Sequence, residues 1–303
     1  MLKNKTQNYP FISVIIPVLN GEKTIEECIQ SLLTLDYPKD RYEVIIVDGN
    51  STDNTRLIIE KYPVKLLLEI KKGIAVARNT GIGTAKGEIL AFTDSDCVVD
   101  KNWLKYIIKK FDDPRVGGIG GKIIAYNPAT VVEQYLAAAS YFDAKAGINL
   151  KKSYILTTNA AYRRDAVEEV GLFDDSFISW EDADLSYRIA QRGYKIVYEP
   201  EAIVFHKHRS SLKGLFLQNF RNGCGKVKLY KKYSEKNHLR IWGYVMIAYY
   251  LMLKLPWRII TVYLQKKEDR LLYIAAPICE FTIHVGGKLG MIWGSIKYKA
   301  LYL

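Results

Sequence analysis

Asp94-Ser95-Asp96 sets two carboxylates one residue apart, directly after the apolar run Glu88–Thr93. Such a pair is a compact set of hard oxygen ligands, suited to Mg²⁺ or Mn²⁺ and, through the ion, to a diphosphate. A DxD triplet occurs by chance in many chains, so its context carries the weight. Other polar side chains follow apolar runs in the same way: the carboxylate of Asp48 closes Glu43–Val47, and the amide of Asn20 follows Phe11–Val18. Glu181-Asp182, with Asp184 two residues on, opens an amphipathic stretch, where capping and the helix dipole also favour acidic side chains.

These groups need elements that hold them at one edge. Phe11–Val18, Glu43–Val47, Lys65–Ile70 and Glu88–Thr93 read as buried strands. Helical patterns alternate with them. Thr24 caps a stretch with Ile25, Cys28, Ile29, Leu32 and Leu33 on one face; Thr52 or Asp53 caps Leu57–Tyr62; Ile74–Ala85 and Asn102–Phe111 follow. Strands alternating with helices of this length imply right-handed crossovers and an α/β fold whose largely parallel sheet is covered on both faces. Ligands of such sheets bind beyond the carboxyl ends of the strands, where Asn20, Asp48-Gly49-Asn50-Ser51 and Asp94-Ser95-Asp96 fall. No GxxxxGK[ST] loop is present, and Gly81-Ile82-Gly83 sits near a helix end, which excludes a dinucleotide phosphate loop. Further on, Val116–Ala125 reads as a glycine-rich strand, Val131–Ala144 as a helix and Ile155–Tyr162 as a strand. A helix runs from Glu181 to about Arg192, and an extended segment from Ile196 to His206. Thr157–Asn159 are placed toward an acceptor by position alone. No linker interrupts residues 1–206, which read as one α/β domain.

The chain has 303 residues, nearly half of them hydrophobic, enough for a sizeable core. Its net charge of +12 is unevenly spread: residues 1–204 carry 26 basic and 28 acidic side chains, residues 205–303 carry 18 and 4. Cys28, Cys97, Cys224 and Cys279 are far apart, which argues against a disulfide framework or a cysteine zinc site and for a reducing compartment. The polar N-terminus precedes an apolar run too short for a signal peptide, so the expectation is that this end stays in the cytoplasm.

In this order and spacing, Ser13–Asn20 (SVIIPVLN), Glu43–Thr55 (EVIIVDGNSTDNT), Ala77–Cys97 (ARNTGIGTAKGEILAFTDSDC) and Glu181–Leu185 (EDADL) resemble the family 2 glycosyltransferases of the GT-A fold. The resemblance covers about residues 11–206. It implies a mixed, largely parallel sheet flanked by helices, with about 1–100 as the nucleotide-sugar half and about 101–206 as the acceptor half. By the same resemblance Pro17 and Asn20 line the nucleotide pocket, Asp48 binds base or ribose, Arg78 shapes the donor pocket and Asp94 contacts ribose or sugar. Asp96 coordinates the divalent cation, Mg²⁺ or Mn²⁺. His206, or His208 as the alternative, supplies a further metal ligand. Asp182 is the general base of an inverting single displacement, with Glu181 beside it at the substrate. A retained base favours a hydroxyl acceptor, such as a sugar of a lipid-linked or cell-surface glycan. A polyprenyl-phosphate acceptor, already ionised, is the alternative.

Beyond His208 the chain turns basic and apolar. Lys207–Arg240 interleaves Lys and Arg with Leu215, Phe216, Leu217, Phe220, Leu229, Tyr230 and Tyr233, and the apolar stretches 241–264 and 271–296 are each long enough to cross a bilayer. Lys254 and Arg258 interrupt the first; Glu280, His284 and Lys288 the second. Gly286, Gly290 and Gly294 recur at a spacing that lets two helices approach closely. The expectation is a helical, membrane-associated region at the cytoplasmic face of the cell membrane, spanning it or lying on it. A helical subdomain packed on the catalytic domain is the other reading of the same pattern. Nucleic-acid binding by the basic tail would leave Asp48, Asp94, Asp96 and Asp182 unexplained, so no nucleic-acid partner is expected.

Overall fold

The computed structural model describes residues 9–69, 71–142, 144–148, 153–233, 253, 256–257, 260–261 and 270–300. The chain divides into two compact units: Met1–Ile124 with Phe142–Asp175 and Glu181–His206, and Ala125–Tyr141 with Ser176–Trp180 and Lys207–Leu303.

The first unit is built on one eight-stranded sheet. Its parallel half consists of β1 (Ile12–Val18), β2 (Tyr42–Asp48), β3 (Lys65–Leu68) and β4 (Ile89–Thr93), in the order β3-β2-β1-β4. β1 alternates as a strand buried on both faces must. Ile12, Val14, Ile16 and Val18 join a core with α1 (Ile25–Leu33) and α4 (Trp103–Lys110), while Ile15 joins the opposite core with Ala75, Ala77 and Ile82 of α3 (Ile74–Thr84). Each such residue, fully withdrawn from water, contributes about 1.5–3 kcal/mol. Pro17, which has no N–H to donate, lies two residues past the last β1–β4 pair, Ile15↔Phe92.

The remaining strands pair antiparallel: β7 (Asn159–Arg163) with β4 and with β6 (Val116–Ala125), and β8 (Lys195–His206) with β5 (Cys97–Val99). Two expectations change here, and β5 is an addition to them, because a three-residue strand is too short for any periodicity to register. The strand expected from Ile155 begins at Asn159, because the Ile155 N–H donates to Ser186 Oγ (3.1 Å) and the Thr157 N–H to Asp182 Oδ2 (3.3 Å) instead of to a neighbouring strand. The helix expected over Val131–Ala144 ends at Ala138 as α5 (Val131–Ala138), where Ser140 takes φ 47° and the N–H of Tyr141 closes back on the Leu136 carbonyl; α6 (Ala144–Ile148) follows. Thr24 makes no side-chain cap to α1, whereas Asp53 accepts from the Thr55 N–H (3.1 Å) at the start of α2 (Thr55–Ile59). The first unit is completed by α7 (Arg164–Glu169) and α8 (Glu181–Gln191).

In the second unit α9 (Leu212–Tyr233) packs along α10 (Arg270–Lys297). Their approach is close because of glycine: a Cβ on Gly290 would overlap the Phe220 carbonyl oxygen, and one on Gly294 would stand 2.9 Å from the Cys224 carbonyl oxygen. Leu136 of α5, Leu215 and Cys279 form the buried centre. Among the described residues no helix is long and apolar enough to cross a membrane. Of the two arrangements left open for 271–296, spanning is the one this disfavours: α10 has the length, but Glu280, His284 and Lys288 keep it too polar. Most of 241–264 lies outside the described residues. All four cysteines are buried and free of disulfides.

Candidate active site

Arg78, on α3, is the hub of the site. Its side chain is 2% exposed, and its guanidinium hydrogen-bonds Glu181 Oε1 at the start of α8 and Asp94 Oδ1 (3.2 Å) at the end of β4, with the Phe173 ring 5.7 Å away. Burial alone would lower the Arg78 pKa, but Glu181, then Asp94 and Asp182, outweigh it and hold the guanidinium charged. The second oxygen of Asp94 accepts from Thr158 Oγ1 (2.7 Å). Arg78 Nε and Glu181 Oε2 are buried and have no hydrogen-bond partner among the described residues. Such atoms are uncommon in a settled core and mark a place where a further ligand would complete the network.

Asp182 sits one residue beyond Glu181 and is half-buried. Its Oδ1 accepts from the Ala183 N–H (2.8 Å) and its Oδ2 from the Thr157 N–H (3.3 Å), so the carboxyl is oriented from both sides. Burial, reinforced by the negative charge of Glu181, pushes its pKa up to about 7, against the opposing pull of Arg78. A carboxylate titrating there is poised to take a proton near neutral pH. Asp184 plays a different part. It is buried and paired with Arg188 Nε (2.9 Å) one turn along α8.

A second cluster forms where β5 meets β8. The register sets Cys97 opposite His206, which brings His206 Nε2 to 3.5 Å from Asp96 Oδ1. One ligand atom each from Asp96, Cys97 and His206 lie within 4.8 Å of one another. A carboxylate oxygen and an imidazole nitrogen are donors that a divalent cation such as Mn²⁺ accepts. Burial, reinforced by the charges of Asp96 and Asp94, pushes the Cys97 thiol well above its ordinary range. The group forms with His206; His208 is not in it.

At the ends of β1 and β2 a third set assembles. Asp48 is fully buried, accepts from the Ser51 N–H (3.0 Å) and pairs with Arg56 Nε (2.7 Å), which itself reaches Asn50 Oδ1 (3.2 Å) through Nη2. Asn20 is exposed at φ 53°, donates from its backbone to Ser51 Oγ (2.8 Å) and accepts from the Thr52 N–H (2.9 Å). Pro17 is buried in β1 beside Val47 of β2.

The structure thus joins Arg78, Asp94, Glu181 and Asp182 in one network, pairs Asp96 with His206, and sets Asp48 and Asn20 around a shared loop. Thr157 and Thr158 belong to the first network through their bonds to Asp182 and Asp94. Asn159 does not face an acceptor. Its Oδ1 accepts from Trp103 Nε1 (2.8 Å) and its Nδ2 donates to the carbonyls of Lys122 and Ala202 (both 2.8 Å), so its bonding capacity is spent inside the sheet. Arg56 was not singled out from the sequence, though it carried a signal, eight residues after Asp48 at the start of a helix.

The profile described as Glycosyl transferase family 2 matches residues 13–171. Glycosyltransferase AglE of Haloferax volcanii is 33% identical over 233 residues, 74% of this chain and 76% of that one. A Methanococcus voltae enzyme, dolichyl N-acetyl-alpha-D-glucosaminyl phosphate 3-beta-D-2,3-diacetamido-2,3-dideoxy-beta-D-glucuronosyltransferase, is 28% identical over 95% of this chain and 98% of its own length. Among solved structures, the mannosyltransferase PcManGT from Pyrobaculum calidifontis, in complex with GDP-Man and Mn²⁺, superposes with a TM-score of 0.67 at 20% identity, covering 95% of this chain and 88% of the other. With the mixed sheet, the carboxylates at its strand ends and these matches together, the chain is a GT-A-fold glycosyltransferase and belongs to glycosyl transferase family 2.

Proposed function

We propose that this glycosyltransferase moves a sugar from a nucleoside diphosphate sugar to a hydroxyl of a lipid-linked or cell-surface glycan, by single displacement with inversion. The observation that carries the reading is Asp182: a carboxylate oriented by two backbone N–H groups, with a pKa near 7, in one network with Arg78 and Asp94. Residues 1–206 are the catalytic part, with the donor toward the first hundred residues and the acceptor toward the rest. Asp48 and Asn20, with Pro17, hold the nucleoside, and Asp94, steadied by Arg78 and Thr158, meets the ribose or sugar. Glu181 keeps the guanidinium in place and turns its remaining oxygen to the substrate. The acceptor oxygen attacks the anomeric carbon as its proton passes to an Asp182 oxygen, and the bond from that carbon to the diphosphate breaks with its electron pair leaving on the nucleotide. A divalent cation held by Asp96 and His206 would balance the charge gathering on the departing diphosphate.

The acceptor class is supported by the Methanococcus voltae relative, whose name gives a dolichyl-phosphate-linked sugar as substrate, and by the base itself, for which an ionised phosphate acceptor has no use. A charge of +14 over residues 205–303 supports residence at the cytoplasmic face of an anionic membrane. The test is a panel of nucleotide sugars offered with lipid-linked saccharides and with polyprenyl phosphate, in EDTA and in Mn²⁺. Transfer to the saccharide hydroxyl, lost with EDTA and with Asp182→Asn, is expected. Transfer to polyprenyl phosphate that survives Asp182→Asn would replace this reading by the alternative. Recovery in the soluble fraction without detergent would remove the membrane from it.

A further inference from the structure

Between Leu271 and Ile296, every described residue of α10 that is exposed is apolar: Leu271, Ile278, Leu289, Trp293 and Ile296, from 36% exposed at Ile278 to 74% at Leu271. They are not scattered. At about 100° of turn per residue, their spacings of 7, 11, 4 and 3 residues bring all five within a sector of about 60°, a strip that runs about 37 Å along the helix. The charged groups lie elsewhere: Glu280, His284 and Lys288 are half-buried and fall about 100–180° round from the strip. A contiguous strip of Leu, Ile and Trp rimmed by polar groups marks an interaction surface. α9 supplies what borders it. Phe216, Phe220 and Cys224 meet Gly286, Gly290 and Gly294 in that order, so the two helices run parallel. On α10 the strip lies about 100° from the glycine contact, against the winding of the helix; on α9 the exposed Lys213, Leu217, Arg221 and Lys231 lie about 90° from Phe220 and Gly223, with the winding. For parallel helices, opposite rotations from a shared contact lead to the same side. An apolar strip and a row of cations therefore border each other on one face of the pair.

We propose that this face is the lipid-contact surface of the protein: α10 lies in the plane of an anionic membrane with its strip sunk to the first acyl carbons, while Lys213, Arg221 and Lys231 of α9 meet phosphate headgroups. The inference rests on the membrane reading above and narrows it from a basic region to one named face. Apolar side chains on one side of a helix, with Lys and Arg beside them, are what holds a helix in the interface plane. Trp293, with Lys297 one turn on, is the residue type that sits at headgroup level. Charge selects lipid over a second copy of the chain. A copy docked on the strip would set its own row of cations toward this one, whereas an anionic surface attracts both the row and the +14 of residues 205–303. The half-buried charges of α10 keep it on the surface, since among the described residues no helix is apolar enough to cross.

The experiment takes the full chain, exchanged out of detergent, to vesicles of phosphatidylcholine alone and of phosphatidylcholine with phosphatidylglycerol in equal parts, and reads the protein that sediments with them. Wild type is expected on the anionic vesicles and to be released by salt. Leu289→Glu with Trp293→Glu should lower the partition coefficient at least about tenfold, with circular dichroism and Tm unchanged. Lys213→Glu with Arg221→Glu should weaken binding to the anionic vesicles by about the same factor and leave any binding to phosphatidylcholine as it was. The fluorescence of Trp293, taken as the difference between wild type and Trp293→Phe, should be quenched more by lipids brominated near the headgroup than by lipids brominated near the chain end. This readout decides the matter even where a doubly substituted variant does not fold. Stronger quenching at the chain end, or vesicle binding that both double variants retain, would overturn the face and leave the membrane reading standing. A wild type that binds neither vesicle would remove the membrane reading and this face with it. A wild-type dimer that Leu289→Glu with Trp293→Glu turns into a monomer would give the strip to a second copy and overturn the proposal.

Discussion

Asp182→Asn separates what the carboxylate costs the fold from what it gives the reaction. Its folded pKa of about 7 stands some three units above the ordinary value of 3.8. One unit corresponds to about 1.4 kcal/mol. Because the side chain is only half-buried and shares its environment with Glu181, the cost of ionising it in the fold is nearer ~2 kcal/mol after allowance for solvent. The pKa is raised on folding, so the folded state holds the proton more tightly than the unfolded one. The benefit is complete below about pH 4 and is lost as the pH rises through 7. An amide in its place carries no charge to bury. Asp182→Asn is therefore expected to match the native protein at pH 4 and to exceed it at pH 8, by ~2 kcal/mol or about 4–8 °C in Tm for a unit of this size.

Activity moves the opposite way. Native kcat is expected to rise with pH through about 7, as Asp182 loses its proton and becomes able to accept one. The variant is expected to lose roughly 10²–10⁴-fold in kcat and the pH limb with it, while nucleoside diphosphate affinity holds, since no bond from Asp182 reaches the Asp48 loop or the Asp96–His206 pair. Differential scanning calorimetry across pH 4–8 and a radiolabelled transfer assay supply the two curves. A variant that is active, or that is destabilised equally at both ends of the range, would refute the reasoning.

Arg78→Met leaves Asp94 and Glu181 without their shared cation, and breaking a buried pair in this way is expected to cost about 3–5 kcal/mol at pH 7, read by chemical denaturation. His206→Gln removes the imidazole from the Asp96 pair. Even outer-shell partners of metals are worth 10–100-fold, so the Mn²⁺ concentration that supports nucleoside diphosphate binding should rise at least about tenfold by calorimetric titration, with no change in binding measured in EDTA. Asn159→Ala strands the Trp103 indole and the carbonyls of Lys122 and Ala202, at roughly 1–3 kcal/mol for each buried group left unpaired. Its urea midpoint should fall while the folded fraction keeps the native KM for acceptor.

What the sequence made legible is what is local. Ile12, Val14, Ile16 and Val18 announce one face of β1 by alternation, and Gly286, Gly290 and Gly294 announce the contact edge of α10 by their spacing, because in both cases the neighbours that matter are set by a backbone repeat. The candidate site is local only in part. Asp94 and Asp96 could be read from their place after an apolar run, yet the partners that define them come from elsewhere: Arg78 from α3, Thr158 from the turn before β7, His206 from the end of β8. Asp96 and His206 are 110 positions apart and meet through β5, three residues that no periodicity can reveal. The same competition explains the strand that began late. Ile155 and Thr157 have strand-forming side chains, but their N–H groups satisfy Ser186 and Asp182, and a backbone donor spent on a side chain is lost to the ladder. Asn159 shows the converse. A polar residue beside two site threonines reads as part of the site, and only the three bonds that exhaust its amide place it in the core. Function is hidden from the sequence where it depends on which of several available partners a group has already taken, and the leftover capacity of Glu181 Oε2 and Arg78 Nε is visible only once every other bond has been assigned.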